Sequence, residues 1–219
     1  MNPAFSPYPR FKRINRKIKG RINLAVFASG RGSNFSAIVK AIQQGKLKIK
    51  LQLLICDQPQ APVIRRAQRA GVRVVLVRRE DFASRVDFEA AIIGKLKESK
   101  IDLIALAGFM RLLSPKFVSA YRRRIMNIHP SLLPAYKGAH AISDAYKARA
   151  TVTGVTVHFV DAQVDHGPLI LQHKIKISPK DSLASLEKRI HALEHKLYPY
   201  AIQLYISGKL KTQGRVKAA

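Results

Sequence analysis

The sequence has little acid and almost no cysteine. Against 40 Lys and Arg stand only 13 Asp and Glu, a formal net charge of +27 over 219 residues, and no acidic residue precedes Asp57 or follows Glu194. Such an imbalance attracts phosphorylated ligands, polyanions and anionic surfaces, and bears on solubility and association rather than on fold. The cations are spread through every segment, without interleaved aromatics or a recognised DNA-reading motif, so no specific nucleic-acid partner is expected. Cys56 is the single cysteine, which excludes a disulfide framework or a cysteine-rich metal site and suits a reducing compartment. No apolar run approaches the roughly 20 residues of a membrane span, and the first 20 residues carry charge where a signal peptide carries its hydrophobic segment. A soluble, cytoplasmic protein without a membrane partner is expected.

What is present suits one sizeable domain. Hydrophobic residues make up 47% of the chain, and a chain of this length buries most of the surface that its unfolded state exposes. Residues 1–20 hold three prolines and clustered cations with no periodicity, which reads as a basic, extended or disordered arm. A transit peptide has little support, since Ser6 is the only serine there. Residues 21–210 are expected to form a single domain, and residues 211–219 a basic, frayed tail.

Within that domain strands and helices alternate. Ile22 to Ala28 is a short apolar run suited to a buried strand, S-G-R-G-S-N follows it, and Ile38, Val39 and Ile42 then recur at helical spacing. Gly30 and Gly32 free the turn to adopt conformations closed to other residues, and Ser33 and Asn34 are placed to cap the helix. A plain tight turn and a phosphate cradle fit this pattern equally, although the lysine and spacing of a nucleotide P-loop are missing. Strands are further expected at Ile49 to Cys56, Val72 to Val77 and Ile101 to Ala107. Helices are expected at Ala61 to Ala70 and from a cap at Asp81 through Lys97, and Ser114-Pro115 opens another to Arg123. The alternation implies right-handed crossovers and an α/β, Rossmann-like doubly wound, mostly parallel sheet. Two later strands around Val155 to Val160 and Leu169 to Ile177 form a C-terminal hairpin with a long tip. A long final helix runs from Asp181 and Ser182 to about Leu204, with Pro199 expected to kink it.

The stretch I-M-N-I-H-P-S-L-L-P-A-Y-K-G-A-H, residues 125–140, stands out. If Ile125 to Ile128 end a strand, the period of two puts Asn127 and His129 on one face where the chain opens into a Pro- and Gly-punctuated loop. Parallel sheets keep their active sites at such ends. Taken alone, an N-x-H pair fits a structural histidine and asparagine as well.

Together, S-G-R-G-S-N, A-G-F-M-R-L-L-S-P, N-I-H-P-S-L-L-P and T-V-H-F-V with V-D-H-G-P-L-I resemble the folate-dependent phosphoribosylglycinamide formyltransferase family, from about Ile22 to Leu210. The resemblance implies the formyltransferase fold and formyl transfer from 10-formyltetrahydrofolate to glycinamide ribonucleotide, by a monomer or homodimer. Asn127, His129 and Asp165 are then the catalytic residues, and the two from the strand are suited to donate hydrogen bonds to a tetrahedral oxyanion. A carboxylate packed on His129 is expected to raise the histidine's pKa and orient a water for proton transfer. The resemblance also assigns Gly32, Ser33 and Asn34 to the substrate phosphate and Glu194 to the glycinamide or ribose. Met110, Arg111, Leu113, Val160 and Asp161 fall to the folate pocket. A helix start and a strand account for His140 and His158. His166, His173, His191 and His195 lack metal-ligand spacing, and no metal is implied.

Two segments depart from the family pattern. Asp57 to Gln60 replaces the common S-N-x-x-D-A, and Lys137 to Ile142 replaces P-G-L-H-x-H with a form resembling the K-G-A of formyltetrahydrofolate deformylases. A formyltetrahydrofolate hydrolase, or a formyltransferase acting on another amine, therefore stays open. So does an inactive homologue binding RNA through its basic surface, although the intact trio argues against it. The additional domains of the deformylases, and of formyltransferases acting on methionyl-tRNA or sugars, are not expected here.

Overall fold

The computed structural model describes residues 12–13 and 21–212. Lys12–Arg13 (β1) pairs antiparallel with Lys211–Thr212 (β9); the rest of the expected arm and tail lies outside the described residues. The domain alternates Asn23–Phe27 (β2), Ser33–Gln43 (α1), Lys50–Cys56 (β3), Pro62–Arg69 (α2), Arg73–Leu76 (β4), Arg85–Glu98 (α3), Leu103–Leu106 (β5), Pro115–Ala120 (α4) and Ile125–His129 (β6). Ala141–Lys147 (α5), the hairpin Val152–Phe159 (β7) and Leu169–Lys176 (β8), and Leu183–Ile206 (α6) complete it. Among the described residues no helix is long and apolar enough to cross a membrane.

The seven-stranded sheet has the order β4-β3-β2-β5-β6-β7-β8. Strands β4 to β6 are parallel, β7 is antiparallel to β6, and β8 is antiparallel to β7. Alternate residues of β2 feed opposite faces. Leu24 and Val26 join Phe35 and Ile38 of α1, Val63 of α2 and Ile190 of α6, whereas Ala25 and Phe27 meet Phe88 and Ile92 of α3 and Phe117 of α4. The near-continuous apolar runs are those of strands covered on both sides. Chain direction across the sheet reverses between β2 and β5, so the loops that follow them diverge and leave a crevice at the carboxyl end of the sheet.

Two local expectations change. Asp81 closes a one-turn 3-10 helix, Arg79–Asp81, and Ser84 instead caps α3 by accepting from the Asp87 N–H at 3.1 Å. The Asp81 carboxylate is taken by the Arg78 guanidinium, whose Nε lies 2.9 Å away. Neither Ser33 nor Asn34 caps α1; Gly32 holds the cap position at φ +73° without a side-chain bond. Pro199 sits within α6 without ending it.

Tyr198 of α6 is fully buried, and its hydroxyl is 2.8 Å from the Leu106 carbonyl and 2.9 Å from the Met126 carbonyl. One O–H shared between two acceptors ties the end of β5 to the start of β6, one turn beyond Glu194 on the same helix. Tyr198→Phe leaves both carbonyls buried with less compensation, and is expected to cost about 1–2 kcal/mol in urea unfolding with an unchanged m-value.

Candidate active site

The crevice holds a cavity of about 600 Å³ lined from the β2–α1 turn, the loop after β5, the end of β6, the β7–β8 loop and α6. All twelve residues singled out from the sequence line it. Asn127 and His129 do so from one face of β6, as the period of two requires. Asp165 reaches them from the long hairpin tip, at φ +49°. Left-handed backbone is uncommon for a residue with a Cβ, and Asp is among the few that tolerate it.

Asp165 is where the catalytic candidates meet. Its Oδ2 lies 3.5 Å from His129 Nδ1 and accepts the Gly138 N–H at 3.0 Å. Its Oδ1 lies 3.5 Å from Asn127 Nδ2 and 3.6 Å from His158 Nε2. His158 is thus a neighbour of the trio. Asn127 and His158 face each other in the antiparallel β6–β7 register, with Asn127 Nδ2 3.2 Å from His158 Nε2. His158 Nδ1 faces the Phe159 carbonyl at 2.8 Å, and its Nε2 lies between Asn127 Nδ2 and Asp165 Oδ1. The alternation of Thr156 and His158 on β7 was the available signal, but both faces of that strand are buried.

The electrostatics of His129 run against expectation. Burial lowers its pKa, and the pull of the Asp165 carboxylate in the other direction is too weak to reverse it. The side chain is 6% exposed and the Nδ1 to Oδ2 separation exceeds a tight hydrogen bond, so desolvation of the charged ring prevails. His129 Nε2–H donates to the Tyr136 carbonyl at 2.8 Å. The N–H expected to serve an oxyanion is therefore committed, and Nδ1 is the nitrogen turned to Asp165. Burial pushes the Asp165 carboxyl up, but the two imidazoles and the Gly138 N–H outweigh it and hold its pKa below the ordinary value.

At the other strand end, Gly32 is required twice. Its φ is +73°, and a Cβ there would come 2.3 Å from Val63 Cγ2 of α2. The first turn of α1 carries neither an acidic residue nor a side-chain cap, so its amides are open to an anion. Asn34 Nδ2 donates to Glu194 Oε2 at 3.0 Å, while Asn34 Oδ1 is buried without a partner among the described residues. Glu194 is 4% exposed and also accepts from His191 Nδ1 at 3.0 Å. That hydrogen bond raises the His191 pKa against partial burial.

The loop after β5 supplies Met110, Arg111 and Leu113, facing Val160 and Asp161 across the cavity. Arg85 of α3 joins them unforeseen. It is tied to the buried Glu89 one turn on in α3 at 3.0 Å and to the Leu112 carbonyl at 2.7 Å, and the second contact is one that no spacing foretells. The departing segment 137–142 contributes Gly138 to Asp165 and opens α5 from a cap at His140. Among the described residues no group of three or more His, Cys, Asp or Glu is placed to hold a metal ion.

This doubly wound sheet, with its cavity at the topological switch point, is that of a formyl transferase: the chain belongs to the formyl transferase family, which it matches over residues 22–202. Within that family the relatives are specific. The chain is 46% identical over 179 residues to the phosphoribosylglycinamide formyltransferase of Bacillus subtilis strain 168, covering 82% of this chain and 92% of that one. It is 38% identical over 193 residues, 88% of its length, to the human trifunctional purine biosynthetic protein adenosine-3, of which it spans 19%. Among solved structures, glycinamide ribonucleotide transformylase 1 from Geobacillus kaustophilus is similar at a TM-score of 0.83 and 48% identity, over 85% of this chain and 99% of that one.

The two histidines should titrate apart. With its pKa lowered, folded His129 binds a proton later than the unfolded chain as pH falls, so its contribution is present above about 6.5 and is lost toward acid. With its pKa raised, His191 stabilises fully below about 6.5 and loses that contribution as pH rises through its folded value. Imidazole NMR titration is expected to place the His129 midpoint below, and the His191 midpoint above, the ordinary value.

Proposed function

We propose that the chain transfers the formyl group of 10-formyltetrahydrofolate to the amine of glycinamide ribonucleotide, giving formylglycinamide ribonucleotide and tetrahydrofolate. The observation that carries this reading is the Asn34–Glu194 pair at the open start of α1, in the same cavity as Asn127, His129 and Asp165. A hydrolase using water has no need of it. An amine borne on a phosphorylated ribose does. The uncapped amides of Gly32, Ser33 and Asn34 suit a phosphate. Glu194, held by two donors, suits the ribose hydroxyls or the glycinamide, and the orphan Asn34 Oδ1 awaits a donor.

The folate enters between the loop after β5 and Val160 with Asp161. Backbone groups and the apolar side chains of Met110 and Leu113 surround the flat ring. Arg85 and Arg111 bring positive charge to the carboxylates of the folate tail.

The chemistry is a direct displacement. The neutral amine attacks the formyl carbon, a C–N bond forms, and the carbonyl electrons become an oxyanion. The Asn127 carboxamide donates to that oxygen. Neutral His129 takes up, at Nδ1, the proton that the attacking nitrogen sheds, and the imidazolium so formed is stabilised by Asp165 and adds a second charge-assisted donor. Collapse of the intermediate breaks the bond to N10 of the folate, and the proton passes to that nitrogen, through His129 or a water oriented by Asp165. No metal is required.

The deciding assay supplies 10-formyltetrahydrofolate with and without glycinamide ribonucleotide. Formyl transfer only when the amine is present is expected; deformylation at one rate in both would assign water as the acceptor. Asn127→Ala and His129→Ala are each expected to lower kcat by a factor of about 10² or more with the fold intact by circular dichroism. Retained activity would move the site elsewhere.

The net charge of +27 creates a field that draws in a phosphate ester and a polycarboxylate. Raising ionic strength from about 0.01 to about 0.15 M, which shortens the screening length about fourfold, should lower kcat/KM for both substrates and leave kcat nearly unchanged.

A further inference from the structure

The departure at Asp57 has a structural counterpart. Asp57 follows the last residue of β3, and its side chain is 2% exposed. Its Oδ2 accepts from Arg111 Nε at 2.6 Å and from Gln58 Nε2 at 3.3 Å, while Oδ1 is buried with no hydrogen-bond partner among the described residues. The Arg111 guanidinium also lies over Phe88 of α3, with Cζ 5.8 Å from the ring centre. The cation is therefore held from two sides before any ligand arrives.

The loop that bears Arg111 packs through Phe109, whose ring meets Phe27 edge-on with centroids 5.2 Å apart, and through Leu113, but the residues on either side of Arg111 are open. Met110 is 70% and Leu112 is 66% exposed. Polar tethers hold the stretch between those two anchors. The Ser29 N–H donates to the Gly108 carbonyl at 3.0 Å, the Met110 N–H donates to Ser29 Oγ at 3.0 Å, and Arg85 reaches the Leu112 carbonyl. The Asp57 contact differs in joining a half-buried cation, 33% exposed, to a carboxylate that is 2% exposed. If the loop swung away with Arg111, a carboxylate in a nearly dry site would lose its only cationic partner among the described residues, a state costlier than a broken surface pair.

We propose that Asp57 is a positioning residue for the folate side of the cavity: by clamping Arg111 against Phe88 it latches the loop 107–113 in its ligand-ready arrangement, and so sets affinity for the folate co-substrate without touching either substrate. The identity of that ligand rests on the proposed function. The start of α1, where the other substrate is assigned, shares no hydrogen bond with Asp57, so the effect is expected to be one-sided.

The test is Asp57→Asn, which keeps the shape and an acceptor for Arg111 Nε but removes the charge. Calorimetric titration with a stable folate, 10-formyl-5,8-dideazafolate, is combined with steady-state kinetics. Folate Kd and KM are expected to rise about tenfold, with KM for glycinamide ribonucleotide and kcat within about threefold of wild type. In an Arg111→Met background the same substitution should change folate Kd by less than about twofold, because Asp57 acts through Arg111. An unchanged folate Kd, equal weakening of both substrates, or additive effects in the double variant would overturn the proposal. If Asp57→Asn does not fold, Phe88→Leu frees the guanidinium from its other side and should weaken folate binding by about threefold; unchanged affinity there overturns it too. Calorimetry needs no turnover, so a wild-type protein that binds the folate but does not formylate glycinamide ribonucleotide refutes the proposed acceptor and leaves the latch testable.

Discussion

The site depends on one buried carboxylate being satisfied. Asp165 sits on a hairpin tip with a left-handed backbone, a conformation that costs of order 1 kcal/mol and persists only when the surroundings hold it. The Asn127 carboxamide from β6 and the Gly138 amide from the loop after β6 donate to its carboxylate, and the rings of His129 and of His158 from β7 stand at 3.5 and 3.6 Å. A charge removed from water needs such partners, since leaving it uncompensated costs several kcal/mol. The requirement draws together four segments that apolar packing alone would not align. It also splits the protonation of the site, with Asp165 kept ionised and His129 kept neutral, so that a base and an anion coexist at the cavity floor.

The same logic recurs wherever this basic chain buries an acid. Asp57 meets Arg111, Glu89 meets Arg85 and the Ser114 amide, and Glu194 meets Asn34 and His191. With only 13 acidic residues against 40 cations, the buried carboxylates Asp57, Glu89 and Glu194 are gathered around the candidate site. Each fixes a side chain or loop that lines it. Scarcity of acid elsewhere leaves the surface strongly positive, which suits anionic substrates.

Much of the fold was legible before any coordinates. The strand–helix alternation, the hairpin and the final helix followed from hydrophobic periodicity, because a period of 2 or 3.6 is a local property of the chain. The errors were at helix starts. Asp81 and Ser33 both look like caps, but an arginine claims one and Gly32 takes the cap position ahead of the other, so tertiary and backbone constraints outweighed a preference worth about 1 kcal/mol. The placement of Asn127 and His129 on a single face was legible for the same local reason, and the resemblance supplied Asp165 and Glu194.

What the sequence by itself determined is therefore the class of fold and the shared face of Asn127 and His129, while the family resemblance its motifs carry supplied the other site residues and the formyl-transfer chemistry. Only the tertiary structure decided how those residues are wired. His158 enters the cluster because β7 pairs antiparallel with β6 in a register that sets it opposite Asn127. Arg85 and Asp57 gain their roles through partners 27 and 54 positions away. The His129 pKa moves opposite to the direction its carboxylate neighbour implies. Pattern reads along the chain, whereas desolvation, strand register and ion pairing depend on what lies across the sheet, and no local spacing encodes that distance.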